Sequence, residues 1–141
     1  MRRILQFLSR AAAVVITTAA FLFVRHSVQA EFIISGGTVT IADNAILTVD
    51  DMTLTSGSLV ANATEIIVGS SWTRTGGSFS YGTSTVSFTG TGTGLTSALI
   101  GSTTFYRLRA NNPGTTIRFT AGTTQYVTTR LTLEDVTLRS T

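Results

Sequence analysis

The chain holds seven carboxylates, Glu31, Asp43, Asp50, Asp51, Glu65, Glu134 and Asp135, and these are the side chains best able to do chemistry. Two pairs stand together, Asp50-Asp51 and Glu134-Asp135. Paired carboxylates suggest two kinds of site. A Ca²⁺ ion collects about six to eight oxygen ligands. A glycosidase sets two carboxyl groups on opposite sides of a cleft. The spacing favours neither. Neighbouring residues on a strand point to opposite faces, so an adjacent pair rarely supplies two ligands. The Gly-Gly-x-Gly-x-Asp repeat of Ca²⁺-binding solenoids is absent. These acids read as solvated corner residues. No catalytic, cofactor-binding or metal-binding residue is assigned. A polysaccharide-degrading enzyme remains a minor reading. It requires a cleft gathering two acids, or acids with Arg74, Arg107 or Arg109.

The rest of the reactive inventory is short. The only histidine is His26, near the N-terminus, and there is no cysteine. Beyond that point the usual general base, the thiol nucleophile and the commonest transition-metal ligands are all missing. Aromatic side chains offer one binding chemistry, stacking on sugar rings. Trp72 and Tyr81 are the candidate glycan contacts, although aromatic residues more often fill a core. Pairs of Thr-x-Thr, such as Thr38/Thr40 and Thr53/Thr55, suggest the arrays of ice-binding solenoids. Their unequal intervals fit strand propensity and a soluble outer face better. The glycines at 90, 92 and 94 are followed by neither a Lys nor a helix pattern, so they form no phosphate cradle.

These residues follow an N-terminal leader. Arg2, Arg3 and Arg10 make a basic start, residues 11–24 are apolar, and Val28-Gln29-Ala30 presents small or β-branched residues at a cleavage position. That layout predicts a signal peptide over residues 1–30 with cleavage after Ala30. Arg10 and Arg25 bracket fewer apolar residues than the roughly 20 of a membrane span. Arg2-Arg3 fits a twin-arginine export signal only loosely. Without the leader, six scattered arginines face seven acids, and lysine is absent. The whole-chain pI of 10.2 is therefore a property of the leader. No basic patch stands out, and nucleic acid is not an expected partner.

From residue 31 the pattern is β throughout. Val, Ile, Leu and Phe recur two apart among Thr, Ser and Gly. The stretches 32–34, 38–41, 46–49, 52–54, 58–60 and 64–68 read as short strands. Gly36-Gly37, residues 42–45, Asp50-Asp51 and Ser56-Gly57 read as corners. No stretch after the leader has helical periodicity. Short strands with tight corners fit a parallel β-solenoid, with about five coils of roughly 20 residues each. An antiparallel β-sandwich is the alternative. Asn112-Pro113-Gly114-Thr115 predicts a type II turn.

One motif returns. Leu47-Thr-Val-Asp50-Asp51-Met-Thr-Leu54-Thr-Ser56 recurs as Leu131-Thr-Leu-Glu134-Asp135-Val-Thr-Leu138-Arg-Ser140, about 84 residues later. Between the copies run Trp72, Gly76-Gly77-Ser-Phe79, Gly82-Thr-Ser-Thr-Val86-Ser-Phe88 and Gly90-Thr-Gly92. Then come Ser102-Thr-Thr-Phe105-Tyr106-Arg-Leu108 and Asn111-Asn112-Pro-Gly114-Thr-Thr116. This succession resembles the β-strand-repeat modules of very large bacterial secreted and surface proteins over roughly residues 72–138. The resemblance implies an adhesin-like protein of the parallel β-helix type. It implies no catalytic residue, because the shared positions are turn glycines and core hydrophobes. Members of that group are usually far longer, so the expectation is a domain over residues 31–141 truncated at its C-terminus.

The reading is an all-β, right-handed parallel β-solenoid behind a signal peptide. It is exported to the cell surface or the extracellular space, with the periplasm as a further destination. Its expected role is structural or adhesin-like and non-enzymatic, with no cofactor. A carbohydrate-binding module is the alternative. Expected partners are surface glycans or further repeats. The mature chain is expected to have no membrane span, and its open strand edge invites edge-to-edge self-association.

Overall fold

The computed structural model describes Val14–Val15, residues 31–90 and residues 96–141. The expected leader with its cleavage after Ala30 lies outside the described residues, apart from Val14–Val15, and so does the glycine-rich stretch beyond Gly90. Eleven strands and no helix make up the described residues. The strands are β1 (Val14–Val15), β2 (Glu31–Thr40), β3 (Ile46–Val60), β4 (Glu65–Arg74), β5 (Ser78–Ser80) and β6 (Thr85–Phe88). They continue with β7 (Thr96–Ile100), β8 (Thr103–Ala110), β9 (Thr116–Phe119), β10 (Gln125–Leu133) and β11 (Thr137–Ser140). No helix of the structure is long and apolar enough to cross a membrane among the described residues.

Every pairing among these strands is parallel. Each residue finds its partner about one coil further along the chain, as Phe32 finds Met52 and Met52 finds Trp72. The chain therefore winds as a β-solenoid of about five turns. The antiparallel sandwich is excluded, since its hairpins would pair sequence neighbours.

The pairings form three ladders. The first stacks Leu47, Ile66, Val86, Leu108 and Leu131 in one column, with Val49, Val68, Phe88, Ala110 and Leu133 beside it. The second stacks Phe32, Met52, Trp72, Leu99 and Phe119. The third begins with Val39, Leu59 and Phe79. The alternation read in the sequence explains the columns. Residues two apart share a face, and in-register stacking brings like side chains over one another. All but the last rungs of the first two ladders are buried. Full burial of one such side chain contributes about 1.5–3 kcal/mol, against about 1–2 kcal/mol for ordering each residue's backbone.

Several stretches expected as separate strands are continuous. β3 runs through both Asp50-Asp51 and Ser56-Gly57, and β2 runs through Gly36-Gly37. At a solenoid corner the backbone changes direction while its amides keep bonding to the next coil. The register shifts between Val49 and Asp51, and between Ile34 and Ser35, mark these bends. Asparagine supports the opposite corner. Asn44 and Asn62 adopt positive φ, and the Asn62 side-chain amide donates to the Ile41 carbonyl at 2.8 Å.

The last three coils have a longer corner between the first and second ladders. Val49 lies three positions before Met52, but Ala110 lies nine before Phe119. The extra length adds a column of its own, in which Ser97, Ile117 and Leu138 stack. Asn112-Pro113-Gly114-Thr115 makes the expected turn there. Gly114 has φ 83°, and the Thr115 N–H donates to the Asn112 carbonyl at 3.1 Å. The longer corner also sets the limits of the internal repeat. Leu47 and Leu131 occupy one column four coils apart, and so do Val49 and Leu133. Downstream the copies slip by four positions, because the Met52 column ends at Ser140 rather than Val136.

The C-terminal coil leaves apolar surface open. Leu131 and Leu138 are 52% and 48% exposed. They border a cavity of about 130 Å³ that reaches up to Phe88 and Leu108.

Candidate functional site

Trp72 was expected to offer a ring to sugars, and the structure corrects this. Its side chain is 1% exposed and stacks between Met52 and Leu99. Its ring meets Phe79 edge-on at 4.9 Å and Phe105 at 5.4 Å, and its indole N–H donates to Thr103 Oγ1 at 3.2 Å. That is a core position with its polar handle satisfied. Tyr81 is half-buried at a corner, where its carbonyl accepts from the Ser84 N–H at 2.9 Å. The two residues form no common platform.

Four acids are engaged in bonds between coils, each reaching a residue about twenty positions on. Glu31 accepts from the Thr53 hydroxyl at 3.1 Å, Asp43 from the Ala63 N–H at 3.0 Å, and Glu65 from the Ser87 hydroxyl at 3.1 Å. Asp51 accepts from both the N–H and the hydroxyl of Ser71. A hydrogen bond to a charged group contributes about 1.5–3 kcal/mol when shielded and less at an exposed position. These carboxylates join coil to coil rather than converge on a ligand. Among the described residues no three of His, Cys, Asp and Glu come together. Asp135 takes a left-handed backbone at a turn, and its carbonyl accepts from the Gly114 N–H at 2.9 Å.

Asp50 differs from these. Burial raises its pKa above the ordinary aspartate value, and the neighbouring Asp51 charge raises it further. The folded state then binds its proton more tightly than the unfolded state. Stability falls as pH rises from the unfolded value through the folded one, and the penalty is absent below about pH 3. Asp50→Asn is therefore expected to raise the melting temperature at pH 7 and to give no gain at pH 2.5. Melting curves at the two pH values check this, and an equal gain at both would refute it.

The arginines, scattered in sequence, are gathered by the fold. Arg107 and Arg130 are direct partners on neighbouring coils of the first ladder. Arg109, two residues beyond Arg107, points the same way. All three are exposed. Together with Thr85, Asn111, Thr132 and Glu134 they line an open groove of about 360 Å³. The Arg107 guanidinium lies over the Tyr106 ring at 4.9 Å. With its amide oxygen turned inward, Asn111 accepts from Arg109 at 2.6 and 3.2 Å. Arg118 and Arg139 are paired on the second ladder, also outward. Arg74 is structural, donating to the carbonyls of Ser102 at 2.8 Å and Gly77 at 2.9 Å. The absence of a basic patch, read from the sequence, is thus corrected. Arg107 and Arg130 are twenty-three residues apart, which no twenty-residue period would align.

Compared with models of protein families, with curated proteins and with solved structures, the chain matches none.

Proposed function

We propose that this chain is a non-enzymatic structural segment of an exported, adhesin-like repeat protein. It would serve as a stiff β-solenoid that holds a lateral surface away from the cell. The observation that carries this reading is the use of the polar residues. Glu31, Asp43, Asp51 and Glu65 bond one coil to the next, and Trp72 fills the core. The strand-repeat resemblance and the basic-apolar leader support export. The apolar end around Leu131 and Leu138 suits contact with a further repeat. A carbohydrate-binding module built on Trp72 is disfavoured by its burial.

Expression of the full chain with a C-terminal epitope tag in a bacterial host tests the reading. The expected result is a mature N-terminus at Glu31 by Edman sequencing and an epitope outside the inner membrane by protease accessibility. Unprocessed chain retained in the cytoplasm would overturn the exported part of the proposal.

A further inference from the structure

We infer that the groove lined by Arg107, Arg109 and Arg130 binds an anionic polysaccharide, with the guanidinium groups holding its carboxylate or sulfate groups. The inference deepens the reading above by giving the lateral surface a ligand class.

The starting point is an arrangement that costs folding energy. Arg107 and Arg130 face each other on adjacent coils, at the ~4.8 Å spacing of neighbouring strands. Like charges in register are destabilising. Arg109 adds a third charge two residues along, on the same outward side. Elsewhere Glu31, Asp43, Asp51 and Glu65 meet their charges with bonds to the next coil, while Arg118 and Arg139 form a second outward arginine pair. In the groove, Arg107 lies only over its neighbour's ring, and Arg109 meets the neutral Asn111 amide. Three guanidinium groups therefore present donor pairs to an open concavity of about 360 Å³. The planar fork of arginine matches a carboxylate or a sulfate bidentately.

The remaining lining residues favour a glycan over a nucleic acid. Thr85, Thr132, Asn111 and Glu134 supply hydroxyl, amide and carboxylate partners for sugar hydroxyls. Glu134 would repel a uniformly charged phosphate backbone but can accept from a hydroxyl between two anionic groups. No aromatic side chain lines the groove for bases to stack on.

Titration calorimetry of the full chain at low salt tests the proposal, with polygalacturonate, dextran sulfate, neutral dextran and single-stranded poly(dT) as probes. Binding of polygalacturonate or dextran sulfate is expected, and which of them binds identifies the anionic group. Neutral dextran should not bind, and poly(dT) should bind at least tenfold more weakly. R107Q and R130Q should each weaken binding about tenfold, and E134Q should strengthen it. The double variant R118Q/R139Q, on another ladder, should leave binding unchanged. All these side chains are exposed, and circular dichroism verifies that each variant is folded. No binding of either polyanion, equal binding of poly(dT), or indifference to R107Q and R130Q would overturn the groove. Correct processing at Glu31 would leave the structural reading standing in each of those cases.

Discussion

Trp72→Ala is expected to cost about 3–5 kcal/mol, the range for removing a large aromatic side chain from a packed core. For a domain of this size the melting temperature should fall by about 10–25 °C. The magnitude follows from what the ring touches. Trp72 sits midway along the second ladder, between Met52 and Leu99, and anchors the edge-on cluster with Phe79 and Phe105. No neighbour can collapse into the space, because each is held in register by its own strand. Trp72→Phe separates the contributions. It keeps a ring but removes the N–H donated to Thr103, and should cost about 1–3 kcal/mol. Thermal melts followed by far-ultraviolet circular dichroism read both. A shift below about 3 °C for Trp72→Ala would mean that the indole is not part of the core.

A matched pair of glycine substitutions should give the second large effect. Gly101 has φ +80° and Gly122 has φ +74°, so alanine meets the same backbone penalty at each, about 1–2 kcal/mol. Their surroundings differ. A Cβ at Gly101 would overlap the carbonyl of Arg74, whereas nothing lies within 4 Å of one at Gly122. The chain at Gly101 cannot easily retreat. Arg74 holds the Ser102 carbonyl from one coil, and Gln125 Nε2 donates to the Gly101 carbonyl at 2.7 Å from the next. Gly101→Ala should therefore cost at least about 3 kcal/mol, well beyond the conformational term alone. Urea titrations of the two variants check this, and equal midpoints would refute the close packing of the coils at that corner.

Much of the fold was legible because a solenoid repeats its instructions. Leu47-Thr-Val and Leu131-Thr-Leu occupy the same columns, and the twenty-residue rhythm from Phe32 to Met52 to Trp72 is the coil itself. Where the rhythm breaks, the reading failed. Corner length leaves no mark on the alternation of apolar and polar residues, so the slip that puts Ser140 rather than Val136 under the Met52 column was invisible. Trp72 was ambiguous because its chain neighbours, Ser71 and Thr73, are polar, while its packing partners are a coil away. The arginine groove was hidden for the same reason. Arg107 and Arg130 become neighbours only because the fourth coil is longer than the first. The acid pairs were read as solvated corner residues; Glu134 and Asp135 are exposed at a bend, but Asp50 and Asp51 are half-buried within β3, and nothing local showed that four acids reach the next coil.

The parallel stacking has a mechanical consequence. In this winding the strands lie across the long direction of the molecule, and the hydrogen bonds between coils lie along it. A force applied to the two ends would load those bonds one after another, as in peeling tape, rather than shear a whole ladder at once. Each peeled coil of about 20 residues would release about 65 Å of chain, from roughly 3.5 Å per extended residue less one strand spacing. A pulled molecule would thus lengthen in small steps at low force. Such a segment dissipates a load gradually and does not fail in one event.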